Sequence, residues 1–134
     1  MGAGLEPNQF RILVADDQSA NRRVLSKLLK LTGYLTIEVG DGQEALQCIV
    51  SRPLDLAIMD VEMPVMNGVE AIRQIRMLND PRLASLPVLA ATGNPQPEIE
   101  RELLEAGANA FLTKPFDTGA LLKTIATLLS PVPG

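Results

Sequence analysis

Hydrophobic and polar positions along the chain follow two rhythms that take turns. "FRILVA" (10–15) is an apolar run of strand length, and residues 19–31 follow at helical spacing. That spacing places Ala20, Val24, Leu25, Leu28 and Leu29 on one face, with Arg22, Arg23, Lys27 and Lys30 outside it. Ser19 stands where an N-cap is expected and Gly33 where the helix should stop. "YLTIEV" (34–39) reads as a second strand, 41–50 as a helix and "LDLAIMD" (54–60) as a third strand. A helix over 68–78, a strand over 86–91, a helix over 97–106, a strand over 110–114 and a helix over 117–129 complete five β/α units.

Strands that alternate with helices of this length require crossover connections, so the expected fold is α/β: a doubly wound, five-stranded parallel sheet with helices on both faces. One domain over 10–130 accounts for nearly everything, leaving 1–9 as an N-terminal tail or linker and 131–134 as a C-terminal tail. In such sheets ligands bind beyond the carboxyl ends of the strands, where strand order reverses. Function is therefore sought in the loops after strands 1, 3, 4 and 5.

Composition narrows the chemistry. A length of 134 residues with 46% hydrophobic residues fits one compact core. No apolar run approaches the roughly 20 residues of a membrane span, and the first ten residues lack the regions of a secretory signal. A cytoplasmic protein without membrane contact is the expectation. The net charge of -4 comes with interspersed Lys and Arg and no basic stripe, which argues against direct nucleic-acid binding. The single cysteine, Cys48, excludes an internal disulfide and reads as a small buried thiol. The absence of histidine removes Ser/His/Asp triads, His-paired cysteine nucleophiles and His-rich metal sites together.

What remains collects in the loops just named. Asp16 and Asp17 follow strand 1, Asp60 follows strand 3, Thr92 follows strand 4, and Lys114 with Pro115 follows strand 5. Singly, each has an ordinary reading as a cap or turn residue. Together they set three carboxylates, a hydroxyl and an ammonium on one edge of the sheet. Three close carboxylates repel, and a hard cation relieves this more readily than protonation does at neutral pH. Oxygen-only ligands favour Mg²⁺. Carboxylates are also nucleophiles in phosphoryl transfer, which needs mainly positioning and charge stabilisation.

The motifs "ILVADD", "DVEMPVMNG", "LAATG" and "AFLTKPF", in that order, resemble the receiver domains of two-component response regulators, over about residues 10 to 130. "DDQSANRR" makes the likeness strongest to receivers of hybrid sensor histidine kinases. The resemblance implies a flavodoxin-like strand order, 2-1-3-4-5, and Asp60 as phosphoacceptor. Asp16 and Asp17 would hold Mg²⁺ with Asp60 and the Glu62 carbonyl, and Thr92 and Lys114 would contact the phosphoryl oxygens. Lys114-Pro115 would be cis. Met63 and Pro64 would shape the loop, and Gly68 would permit tight entry into the third helix. Thr92 and Phe111 would form a switch acting on the face of the fourth helix, fifth strand and fifth helix. The implied partner is a histidine kinase or histidine phosphotransfer protein, and the chain itself a monomer or weak phosphorylation-dependent dimer.

Departures from the family pattern matter at the switch. Phe111 lacks the hydroxyl of the commoner tyrosine, Gly93 stands where alanine is common, and "GNPQPE" (93–98) brings Pro95 and Pro97 to the start of the fourth helix. A stiffer or displaced loop with a late helix start is expected there. Two other classes compete. An aspartate-nucleophile phosphatase usually carries Asp-x-Asp after strand 1, whereas Asp16 and Asp17 are adjacent; a flavodoxin-like cofactor binder needs a phosphate loop there, and the acids of "DDQSAN" would repel it. A receiver-shaped binding module without phosphorylation is a further alternative. The chain reads either as a stand-alone regulator or, in preference, as a receiver excised from a longer kinase.

Overall fold

A computed structural model describes residues 10–94 and 96–130. The expected tails over 1–9 and 131–134, and Pro95 of the loop expected to be stiff, therefore lie outside the described residues, whereas Pro97 lies within them. Five strands, β1 (Arg11–Ala15), β2 (Leu35–Val39), β3 (Leu56–Asp60), β4 (Val88–Thr92) and β5 (Ala110–Thr113), form one sheet in the order β2-β1-β3-β4-β5. Every pairing is parallel. Among the described residues six helices connect and flank them: α1 (Ser19–Thr32), α2 (Gly42–Ser51), α3 (Gly68–Arg76), α4 (Pro81–Ala84), α5 (Pro97–Ala106) and α6 (Thr118–Leu129).

Alternation along the strands builds two cores. Ile12, Val14, Leu56, Ile58 and Leu89 pack with Leu25 and Leu29 of α1 and Leu121 and Ile125 of α6. Leu13, Ala15, Ala57, Met59, Val88 and Ala90 face the other way, onto α2, α3 and α5. All residues of β3 and β4 are buried, as expected of central strands covered on both sides, while the edge strands β2 and β5 are mixed. Cys48 is buried within the second core, as its helical position suggested.

The expected boundaries shift where local chemistry decides. The third strand starts at Leu56 and not Leu54, and the fourth at Val88, after Pro87, which has no N–H for the ladder. The helix expected over 68–78 ends at Arg76. A four-residue helix, α4, was not anticipated because so short a segment shows no periodicity, although Asp80 caps it through the Arg82 N–H and Pro81 opens it. Gly33 ends α1 as expected, in the left-handed region at φ 113°.

Three readings of α1 need correction. Ser19 is its first residue and not its cap: Gln18 holds the cap position but its Oε1 accepts from Asn21 Nδ2 at 2.6 Å and caps no backbone N–H, while Asp16 Oδ1 takes the Gln18 N–H at 2.9 Å and fixes the chain's entry. The buried stripe is narrower than the spacing implied: Ala20 and Val24 are exposed, Val24 to 71%. Ser26 is buried instead, its hydroxyl hydrogen-bonded to Thr36 Oγ1 of β2 at 2.6 Å. Arg22, expected outside, is only 20% exposed in its side chain and turns back onto the end of β1.

Candidate functional site

Strand register brings the singled-out residues to one edge. Ala15 pairs with Met59 and Asp60 with Ala91, so Asp16 and Asp60 leave adjacent strands at nearly the same level. Thr92 pairs with Thr113, placing Lys114 one residue further on. The hydrogen bond from the Lys114 N–H to the Thr92 carbonyl, 2.8 Å, fixes that last step. The Lys114–Pro115 peptide is cis.

Carboxylate oxygens of Asp16, Asp17 and Asp60 all lie within 4.8 Å of one another. Asp16 and Asp60 are buried, whereas Asp17 is exposed. Lys114 Nζ donates to Asp16 Oδ2 at 2.9 Å and lies 3.3 Å from Asp60 Oδ1. Burial pushes the Asp60 carboxyl up to about 6; the Lys114 charge opposes this and the Asp16 charge adds to it. For Lys114 burial acts downward, but the hydrogen bond to Asp16 and the charges of Asp60 and Asp16 outweigh it, and its pKa lies above the ordinary lysine value. The Lys114 ammonium thus meets two of the three acids and leaves Asp17 to solvent. The donor set, oxygen only and open through Asp17, fits a hard divalent cation such as Mg²⁺, which keeps several waters and uses one or two carboxylates.

The loop after β3 is held from several sides. Glu62 is exposed, and its N–H lies 3.4 Å from Asp60 Oδ1. The Val61 N–H donates to Ala91 O at 2.9 Å, and the Gly68 N–H returns to Val61 O at 2.9 Å. A Cβ on Gly68 would collide with the Asp60 carbonyl oxygen, so the start of α3 runs directly against the backbone of that aspartate. Met63 is buried in the core and Met66 packs partly against it, while Pro64 is exposed. Val65, at φ 67° and 77% exposed, is the centre of a three-residue turn closed by the Met66 N–H to Pro64 O at 2.6 Å. A β-branched residue is strained in that region, and no feature of the sequence pointed to it.

Thr92 is fully buried, and its Oγ1 accepts the Asn94 N–H at 3.0 Å. Phe111 pairs with Ala90 and is partly buried, packed on the same core as Leu103 and Met59. Pro97 begins α5 as the spacing suggested, with no side-chain cap at Gln96. Beside the acidic edge, a groove of about 460 Å³ runs between α1 and α6, with Asp16, Asn21 and Lys114 at its polar end and Val24, Leu28 and Phe116 along its apolar part. Sequence reasoning missed this groove because it counted Val24 as core.

A doubly wound sheet with an acidic cluster, a lysine and a buried threonine at its switch edge defines a class of phosphoacceptor signalling domains. The chain belongs to the response regulator receiver domain family, whose profile matches residues 12–126. It is 37% identical over 119 residues to the sensory/regulatory protein RpfC of Xanthomonas campestris pv. campestris, covering 89% of this chain and 16% of that protein. It is 35% identical to the chemotaxis protein CheY of Pseudomonas aeruginosa over 93% of this chain and all of CheY. The receiver domain of the sensor histidine kinase PA1611 from Pseudomonas aeruginosa, solved with a magnesium ion in its active-site cleft, superposes with a TM-score of 0.82 at 30% identity, covering 90% of this chain and 97% of that one. Against hybrid sensor kinases such as RpfC the chain spans about a sixth of the relative's length.

Proposed function

We propose that this domain accepts a phosphoryl group on Asp60 from a phosphohistidine of a histidine kinase or histidine phosphotransfer protein. The observation that carries this reading is a buried aspartate at the end of the central strand, grouped with two further carboxylates and one lysine. With its pKa near 6, Asp60 is mostly ionised at neutral pH and can act as nucleophile. An Asp60 carboxylate oxygen attacks phosphorus, the P–N bond of the phosphoimidazole breaks, and the imidazole leaves as the neutral ring after taking up a proton.

Asp16, Asp17, Asp60 and the Glu62 carbonyl would hold Mg²⁺. The metal would neutralise the charge of the transferring group. Lys114 is poised to shift from Asp16 toward the new phosphoryl oxygens, and Thr92 Oγ1 can donate to them on leaving the Asn94 N–H. That movement would favour a second packing of Phe111 and of the α5, β5 and α6 face, as a shift between two populated states.

The apolar groove beside Lys114 and the three exposed basic residues of α1, Arg23, Lys27 and Lys30, suit the donor: a helical surface with apolar and acidic residues around its histidine. A regulatory role in the cytoplasm follows, with self-directed phosphotransfer and autodephosphorylation as the only chemistry. Among the described residues no helix is long and apolar enough to cross a membrane. The length of relatives such as RpfC favours one module, over about 10–130, of a larger sensor kinase.

Intact-mass spectrometry after incubation with acetyl phosphate tests the reading. One added phosphoryl group that requires both Mg²⁺ and Asp60 is expected, and Asp60→Asn should remain unmodified. An unmodified wild type in the presence of Mg²⁺ would leave a receiver-shaped binding module in its place.

A further inference from the structure

We infer that Arg22 is a positioning residue for the metal site: it holds the Asp16–Asp17 peptide in place through its carbonyl. The inference rests on the proposed Mg²⁺-dependent reading of the acidic cluster and extends it to a residue outside that cluster.

Asp17 is the exposed member of the three carboxylates, and no hydrogen bond reaches its side chain from the described residues. Its place in the cluster is therefore inherited from the backbone that precedes it. That backbone is fixed at four points. The Asp16 N–H donates to Val39 O at 3.2 Å, Asp16 Oδ1 accepts the Gln18 N–H at 2.9 Å, and Asp16 Oδ2 accepts from Lys114 at 2.9 Å. The fourth contact is Arg22 Nη1 to the Asp16 carbonyl, at 2.6 Å the shortest of the set. It alone acts directly on the peptide that joins Asp16 to Asp17.

The guanidinium geometry shows which contact sets its position. Nε lies 3.4 Å from Glu38 Oε1 of β2, near enough for attraction, yet it is buried and out of line for a hydrogen bond. An arginine placed chiefly to pair with Glu38 would present its fork to the carboxylate. Arg22 instead leaves Nε without a bonded partner and keeps Nη1 on the carbonyl. Glu38 then serves to balance the charge.

This arrangement differs in kind from that of Lys114. Lys114 competes with a cation, because it occupies an Asp16 carboxylate oxygen. Arg22 adds positive charge beside the acids through a main-chain oxygen, and leaves the carboxylate oxygens free. Its charge opposes a cation as that of Lys114 does, so what it gives the metal site is the placing of the peptide, with the ligand oxygens left unblocked.

The test is a Mg²⁺ titration followed by backbone amide NMR on the wild type, Arg22→Met, Arg22→Lys and Glu38→Gln. Arg22→Met is expected to weaken Mg²⁺ binding about tenfold, the lower end of what loss of an outer partner does to a metal site. It should also move the Asp17 and Gln18 amide signals before any metal is added. Arg22→Lys keeps the charge and loses the planar fork, so it should fall between; it also carries the test if Arg22→Met does not fold. Glu38→Gln should stay within about twofold of wild type, since Glu38 makes no hydrogen bond to the guanidinium and touches none of the three carboxylates. An Arg22→Met protein that binds Mg²⁺ like wild type overturns this inference alone, as does a Glu38→Gln protein weakened as much as Arg22→Met. A wild type with no saturable Mg²⁺ response overturns the phosphoacceptor reading, and the metal role of Arg22 falls with it.

Discussion

Lys114 donates to Asp16 across 98 residues of sequence, at 2.9 Å, and by this bond ties the end of β5 to the end of β1. In the proposed metal site Asp16 would also hold the cation, so ammonium and metal would compete for its carboxylate. Lys114→Met, which keeps the stem and removes the charge, should bind Mg²⁺ about tenfold more tightly: a part-buried charged hydrogen bond contributes about 1–1.5 kcal/mol, and 1.4 kcal/mol is tenfold. The same variant should accept phosphoryl groups more slowly. Amide NMR titration gives the affinity; an unchanged or weaker Kd would show that Lys114 assists the metal and does not oppose it.

Asp60 carries a pH signature of its own. Its folded pKa of about 6 lies above the unfolded value of about 3.9, so between these limits the folded chain binds more protons than the unfolded one. Stability contributed by this group therefore declines as pH rises from about 4 to 6 and is level above that, with a full span on the order of 2–3 kcal/mol. Asp60→Asn stays neutral and escapes the decline, although Lys114 loses one of its two acids. In urea unfolding with EDTA, the variant should exceed wild type by about 1–2 kcal/mol at pH 7.5 and by much less at pH 4.5. Added Mg²⁺ should narrow the gap at pH 7.5 by stabilising wild type. A gap independent of pH would mean that Asp60 titrates as an ordinary carboxylate.

Two glycines near the site should respond in opposite ways. A Cβ on Gly68 would strike the Asp60 carbonyl and crowd Val61, all backbone, which cannot swing aside. Gly68→Ala should cost about 2–4 kcal/mol and slow modification of Asp60, because relief requires moving the start of α3 or the end of β3. A Cβ on Gly93 meets nothing within 4 Å, and Gly93 has no positive φ. Gly93→Ala should therefore be neutral or stabilise by up to about 1 kcal/mol through the unfolded chain. Denaturation midpoints separate the two outcomes directly.

These contrasts show where the sequence was informative. The order of strands and helices was legible because burial on both sides of β3 and β4 leaves unbroken apolar runs, and because the helices keep a 3.6-residue rhythm. Asp16, Asp17, Asp60 and Lys114 were legible as a group because each follows a strand, and parallel strands carry such residues to one edge. Arg22 was not. Its chief partner is the main-chain oxygen of Asp16, and a carbonyl has no signature in a sequence. Val24 was misplaced and the burial of Ser26 went unread for a related reason: the α6 groove lets valine remain exposed, and Thr36 supplies a hydroxyl that lets serine be buried. Spacing reports which face a residue is on, not how far the neighbouring element reaches.

Arg76 extends the same lesson to the opposite end of the sheet. Its guanidinium donates to the carbonyls of Gly107, Ala84 and Leu86 and to Asn109 Oδ1, at 2.7 to 3.0 Å, with no carboxylate among its partners. Ala84 and Gly107 lie at the carboxyl ends of α4 and α5, so the charge is met by carbonyls at two helix ends. Burial still pulls its pKa below the ordinary arginine value. Arg76→Met would strand those carbonyls and loosen the entries to β4 and β5, at a cost of about 3 kcal/mol; Arg76→Lys, unable to span the fork, should cost about 2. Because these contacts precede β4 and β5, whereas Asp60 closes β3, Mg²⁺ affinity should stay within about twofold of wild type wherever the variant remains folded, a range well below 1.4 kcal/mol. Urea midpoints together with a Mg²⁺ titration decide the point. Lost metal affinity in a folded Arg76 variant would show that the two ends of the sheet are coupled, and that the arginine cluster belongs to the switch as well as to the scaffold.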